Sequence, residues 1–215
     1  MLLLVDVLLL LTGCHSKQTI RPDSLIVVKD VQIPDSEPLL ARFATHSWVD
    51  YRSDTRSPWR RIEIVNKTSG LQHHTIPDDV AHAGKRWGNR VRILSQSDGK
   101  KNPRFVSDIM RFAERYDASV YRVWPGPNSN SFAENLIRGV DGVSAVLDHN
   151  AVGKEHGFYV GKTAGGTGLE LQTPLVGCAL GLREGAELSL LGLSGGVALY
   201  PPVVKIPFLP RLPGR

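Results

Sequence analysis

A chain of 215 residues, 41% hydrophobic and 22% charged, has the composition of one globular domain and excludes a disordered, solvent-swollen protein. The net charge of +5 is spread along the chain without a long basic tract, which argues against nucleic acid and fits an anionic neighbourhood such as a phospholipid surface or cell-wall polymer. The two cysteines, Cys14 and Cys178, form no CxxC motif and no evident local disulfide, so no metal, redox framework or cofactor is implied.

The first element is "MLLLVDVLLLLTGC". The run falls short of the roughly 20 residues that span a bilayer, and it has the size of a secretory signal core. Leu11-Thr12-Gly13-Cys14 resembles the bacterial lipobox, in which small residues fit the peptidase cleft and the cysteine thiol accepts a diacylglyceryl group. Residues 1–14 therefore read as a lipoprotein signal ending at a lipidated Cys14. Membrane attachment and a place in the cell envelope, facing periplasm or exterior, follow from that reading. Two features depart from the pattern: no Lys or Arg precedes Cys14, and Asp6 interrupts the run. An ordinary buried N-terminal strand is the alternative. Residues 15–39, polar and Pro-rich around a short "LIVV" strand, read as a tether, and residues 40–215 as a single domain.

Within that domain, "FATHSWVDY" predicts a strand anchored by Trp48. After the turn "SDTRSP", "WRRIEIVNK" alternates Ile62 and Ile64 with Arg61 and Glu63, the period of a half-buried strand, and a hairpin pairs the two. Residues 67–89 look irregular. "NRVRILSQSDGK" is a further strand. Asn102-Pro103 predicts a helix start, and Phe105, Ile109, Phe112 and Tyr116 form its apolar stripe. "SVYRVW" predicts another strand, and a second helix follows over about 130–139 with Phe132, Leu136 and Ile137 inward. The last third, Gly-rich and apolar, reads as β-hairpins covering the core, with Cys178 as a small buried hydrophobe. The expected class is α+β: an antiparallel sheet, two main helices and a Gly-rich C-terminal β-extension.

The chemistry concentrates in "YRVWPGPNSNSF". Ser131 and Glu134 have the spacing of a capping box, which would make Asn128, Ser129 and Asn130 loop residues. The other reading uses the positive end of the helix, where a nucleophile gains stabilisation of its anion and a histidine can take its proton. His46 is the candidate base. Arg122 and Lys154 are cations close to this stretch in sequence, able to hold a substrate carboxylate or phosphate. "HHTIPDDVAH" carries His73, His74, Asp78, Asp79 and His82, metal-competent residues whose spacing matches no known site; a solvated loop is the simpler reading, and no metal site is assigned.

"HSWV", "YRVWPGPNSNSF", "AVGKEHG", "GGTG", "EGAELSLLGL" and "PPVVKIP" together resemble one bacterial family, domain of unknown function 3750, over residues 44–210. The family name assigns no activity. A second resemblance is to the circularly permuted papain-like hydrolases of the NlpC type, with a histidine on an early strand and a cysteine nucleophile at a later helix start. That resemblance implies a permuted papain-like core, with His46 as general base and Ser129 in the place of the cysteine. Asn128 and Asn130 would then contact substrate or the oxyanion, and the substrate would be an amide or ester of the cell envelope. Serine in place of cysteine requires a well-oriented base, and the sequence does not identify the orienting residue; Glu63, on the neighbouring strand, is a guess and is left unassigned. The alternative is a non-catalytic lipoprotein that binds peptide or glycan in the same groove.

Overall fold

The computed structural model describes residues 19–34, 36–37, 41–199 and 202–209. Cys14 and the expected signal segment lie outside these residues. Among the described residues, no helix is long and apolar enough to cross a membrane.

The "LIVV" run becomes β1 (Ile26–Gln32), and its place overturns the expected tether. β1 is an inner strand of a six-stranded sheet, paired antiparallel with β2 (Thr45–Tyr51) on one side and β6 (Asn89–Ser97) on the other. The physical reason is two-sided burial. Ile26 and Val28 face the helices, while Val27 packs with Trp59, Ile76 and Ala81, and Val31 packs with Trp48 and Val91. A strand with apolar residues in succession must be covered on both faces. β3 (Trp59–Ile64) pairs with β2 as the predicted hairpin, and β4 (Leu71–Ile76) extends the sheet through residues expected to be irregular. The four-residue helix α1 (Asp78–Ala81) and β5 (Lys85–Arg86) complete the order β4-β3-β2-β1-β6-β5.

Two helices cover one face of this sheet. α2 (Phe105–Arg115) and α3 (Ser129–Gly139) meet through an aromatic cluster in which Tyr116 sits edge-on to Phe132 at 4.9 Å and Phe112 lies 5.7 Å from the same ring. The predicted stripe on α2 thus finds the predicted inward residue of α3. The expected "SVYRVW" strand does not form; residues 117–128 run as an irregular connection. Val120, Val123 and Trp124 are exposed there, so no second apolar surface holds the segment extended.

The last third forms an up-and-down antiparallel meander: β7 (Tyr159–Lys162), β8 (Gly168–Gln172), β9 (Val176–Gly181), β10 (Gly185–Leu190), β11 (Leu193–Leu199) and β12 (Pro202–Lys205). Hairpins were expected, but their apolar side was expected inward. Instead Glu170, Gln172, Glu187, Ser194 and Lys205 are buried, and Cys178 is exposed on the opposite face. The α+β class stands, with two antiparallel sheets.

Candidate functional site

The loop before α3 is shaped by close contact. Gly126 has φ +121°, and a Cβ there would sit 2.9 Å from the His156 Cβ and 3.1 Å from the Ser131 hydroxyl oxygen. Gly153, with φ +80°, would bring a Cβ within 2.5 Å of the Asn128 side-chain nitrogen. Only glycine allows both approaches.

Asn128 is the N-cap of α3, one turn earlier than the predicted capping box. Its Oδ1 accepts from the amides of Asn130 (2.9 Å) and Ser131 (3.2 Å). Its own amide donates to Ser131 Oγ at 3.1 Å, and the Ser131 hydroxyl donates to the Gly153 carbonyl at 2.5 Å. Asn128 Nδ2 donates to the carbonyls of Val123 and Val152, each at 2.9 Å. Every polar atom of this side chain is engaged, so it is a structural cap and is not free for substrate or oxyanion.

Asn130 performs a different task. β2 pairs with β1 along its whole length but meets β3 only from Val49 to Tyr51. The edge of β2 at Thr45 and Ser47 is therefore open. Asn130 Oδ1 accepts from the Ser47 amide (3.1 Å), and Nδ2 donates to the carbonyls of Thr45 (2.8 Å) and Val152 (3.1 Å). The side-chain amide stands in for a strand and fastens the start of α3 to the residues on either side of His46. It too is unavailable to substrate.

Ser129, between these two asparagines, is buried. Neither its amide nor its hydroxyl makes a hydrogen bond among the described residues. It occupies the first position of the helix, where the N–H is left over by geometry and negative charge is favoured.

The side chain of His46 follows strand alternation. Val49 and Tyr51 face the helices, so His46 turns with Trp48 to the other side of β2. There His46 Nε2 lies 2.7 Å from Glu63 Oε2, its ring stacks on Trp48, and Trp87 lies 5.2 Å away. Arg86 grips both Glu63 oxygens at 2.8 and 2.9 Å and lies over the rings of Trp48 and Trp87. Burial acts to raise Glu63, but the hydrogen bonds from His46 and Arg86 outweigh it and hold the carboxyl at about 2. Burial lowers the His46 pKa against the opposing pull of Glu63. A neutral imidazole beside an ionised carboxylate carries its proton on Nε2, which leaves Nδ1 as the basic nitrogen. The expected bond between His46 and Ser129 is absent: the backbones are brought together through Asn130, but the imidazole is turned to Glu63.

The two predicted cations separate. Arg122 is exposed, with its amide bonded to the Pro127 carbonyl at 2.8 Å, and its charge, after burial, lowers the pKa of His156. Lys154 is buried, 2.8 Å from Glu187 and 3.4 Å from Glu155, and those carboxylates raise its pKa against the effect of burial. It is a structural ion and not a substrate contact. Among the described residues no cluster of His, Cys, Asp and Glu could hold a metal. In "HHTIPDDVAH", His73 bonds the Tyr51 hydroxyl and His82 Nδ1 lies 2.9 Å from the Asp78 carbonyl.

Lys154 belongs to a buried network between α3 and the second sheet. Arg138 bridges Glu134 (2.8 Å) and Glu170 (2.7 Å), while Lys154 and Lys205 both bind Glu187. Arg138, Lys154 and Lys205 give three positive charges against four carboxylates, Glu134, Glu155, Glu170 and Glu187. One proton on this set restores balance. Burial pushes Glu134 up to about 7 despite its contact with Arg138, which Glu170 shares. Glu187, held by Lys154 and Lys205 against burial, stays at about 2.

The site is thus a helix N-terminus stitched to an open strand edge, with a carboxylate-held imidazole on the opposite face of that strand, in an α+β domain with two antiparallel sheets. The family described as protein of unknown function, DUF3750, matches residues 28–156, and the chain belongs to it. No curated protein and no solved structure matches the chain. Of the site, Asn128, Ser129, Asn130 and His46 were visible in the sequence. Arg86 and Trp87 were missed, because they lie in a stretch read as irregular; the alternation of β3 pointed to Glu63 without giving its partner.

Asn130→Ala will destabilise the fold on the order of 3 kcal/mol, since it strands a buried N–H and carbonyl of β2 at roughly 1–3 kcal/mol each. Urea unfolding measures this, and a loss under about 1 kcal/mol would contradict the stitching role. Glu134 predicts a pH dependence. Its folded pKa of about 7 exceeds the ordinary 4.5, so its share of stability is present below pH 4.5 and is lost as pH rises to about 7. Glu134→Gln should flatten that decline in unfolding curves recorded across this window.

Proposed function

We propose that this chain is an envelope lipoprotein whose folded domain hydrolyses an amide or ester bond in a cell-envelope substrate. Ser129 is the nucleophile, His46 the general base and Glu63 the residue that orients it. One observation carries the reading: the Glu63–His46 pair at 2.7 Å leaves Nδ1 free on the segment of β2 to which Asn130 fastens the start of α3. A carboxylate that fixes the tautomer and ring of a histidine is what a serine nucleophile requires, because its hydroxyl is not ionised near neutrality.

The steps follow from these groups. For proton transfer the imidazole has to leave its stack on Trp48 and swing round the open edge of β2, because the strand holds it on the face opposite α3. Ser129 Oγ attacks the substrate carbonyl, and its proton passes to His46 Nδ1. The Ser129 amide, free of other bonds, donates to the oxyanion at the positive end of α3. The imidazolium then protonates the departing amine or alcohol. Water, deprotonated by the same nitrogen, releases the acyl group and regenerates the hydroxyl. Arg122, exposed at the start of the loop, meets a carboxylate or phosphate of the substrate.

A second reading is a protein that binds peptide or glycan without catalysis. The bidentate grip of Arg86 on Glu63 favours it, since a carboxylate shared with a guanidinium serves equally as a structural ion pair.

A fluorophosphonate probe separates the two. Hydrolysis predicts labelling of the wild-type chain, none of Ser129→Ala, and a loss of about 10²–10⁴-fold in labelling rate for His46→Ala. Because the His46 pKa is lowered, labelling should persist below pH 6.5, where an ordinary imidazole is already protonated. A folded wild-type chain that stays unlabelled yet retains cell-wall fragments supports binding. For the anchor, incorporation of a palmitate analogue should vanish in Cys14→Ser, and retained label would refute the lipobox.

A further inference from the structure

The second sheet is patterned inside out. Its buried face holds carboxylates and amines, while the outward positions are apolar and adjoin one another across the strands. One row runs Val160, Leu171, Cys178, Leu188 through four neighbouring strands. The next runs Leu169, Leu180, Ala186, Val197, Val204. The exposures settle that these residues meet solvent: Val160 is 79% exposed, Leu180 70% and Leu188 71%. All of these but Val204 line a shallow trough of about 840 Å³.

The exposed charges carried by the described residues of this sheet have one sign. Among the described residues from Phe158 to Leu209, the exposed charged side chains are Lys162 and Arg183. Glu170, Glu184 and Glu187 are all buried. Arg183 bonds the Gly165 carbonyl in the turn that follows Lys162, so both cations belong to the same end of the sheet.

We propose that this outer face rests on an anionic lipid bilayer, its Leu and Val side chains set into the boundary between headgroups and acyl chains and Lys162 and Arg183 placed on headgroup phosphates. Apolar-out, polar-in alternation is the pattern of a sheet that faces lipid. The strands here have four to seven residues, too few to span a membrane, which takes about 9–11. Among the described residues β7 and β12 have no partner on their outer edges, and such edges are costly inside hydrocarbon. The sheet therefore lies face-down at the interface, where an apolar face bordered by cations binds anionic lipid. A second copy of the chain fits less well. Two facing troughs enclose a void, and a second copy offers no exposed carboxylate from its own sheet to receive Lys162 and Arg183.

Cys178 is exposed near the middle of this face and is the attachment point for a test. The full chain carrying Cys14→Ser is labelled at Cys178 with an environment-sensitive fluorophore. It is then mixed with vesicles of phosphatidylcholine alone or with phosphatidylglycerol added. The proposal predicts a blue shift on the anionic vesicles that weakens with salt. Leu180→Gln with Leu188→Gln should lower the partition roughly tenfold or more. Lys162→Glu with Arg183→Glu should remove the preference for phosphatidylglycerol; all four positions are exposed, and unchanged circular dichroism checks the fold. An unshifted probe on chains that float with the vesicles would overturn the proposal, because the N-terminal segment would then be the sole contact. A shift that grows with protein concentration without vesicles, together with a dimer in sedimentation, would overturn it in favour of a second copy.

Discussion

Three hydrogen bonds from one side-chain amide hold the two halves of the candidate site together. Asn130 takes the Ser47 N–H and the Thr45 carbonyl of β2 and the Val152 carbonyl of the loop after α3. Without it, β2 would present an open edge to a buried region, where unpaired backbone groups are costly. The sheet cannot close this gap itself, because β3 diverges from β2 before it reaches Ser47. The helix supplies the missing partner, and its position is thereby tied to the strand within hydrogen-bonding tolerance. Rigid placement of a helix terminus against a strand is the condition for any chemistry shared between Ser129 and His46.

The second constraint is charge balance beneath the second sheet. Burying ions is unfavourable unless each finds partners, and replacing such a set by apolar residues is often neutral or stabilising. Here the ions are placed so that every guanidinium and amine serves more than one partner: Arg138 joins α3 to β8, and Lys154 and Lys205 meet on Glu187 of β10. The network fixes which face of the meander turns inward. Because strand periodicity is two, the face that carries these charges forces Leu171, Cys178 and Leu188 to the other side. The apolar exterior is a consequence of the polar interior and needs no separate cause within the fold.

Elements with a single strong period were legible in the sequence, and elements decided by partners were not. Alternation in "WRRIEIVNK" gave β3, and the stripe from Phe105 to Tyr116 gave α2. The cap was misplaced because two serine- or asparagine-led spacings of three overlap: Ser131 with Glu134, and Asn128 with Ser131. Local propensity does not choose between them. Arg138 does, by drawing Glu134 away from the helix start. Lys154 and Cys178 failed for the same reason in opposite directions. An amine was expected to be available and an apolar residue to be buried, and the inverted meander reverses both. Glu63 was visible as an alternating strand residue, but its role depends on Arg86 and His46, which only the fold brings to it.

Polar groups at the start of α3 are unevenly satisfied. Across Asn128, Asn130 and Ser131, the side-chain polar atoms are bonded to the protein itself. Interior satisfaction of this kind is the rule for buried polar groups. Within this turn Ser129 differs, with neither hydroxyl nor amide partnered among the described residues; on the facing strand the buried hydroxyls of Thr45 and Ser47 are also unpartnered. The proposed hydrolysis rests on this Ser129 hydroxyl, unpaired at the positive end of α3, where charge on the oxygen would be stabilised.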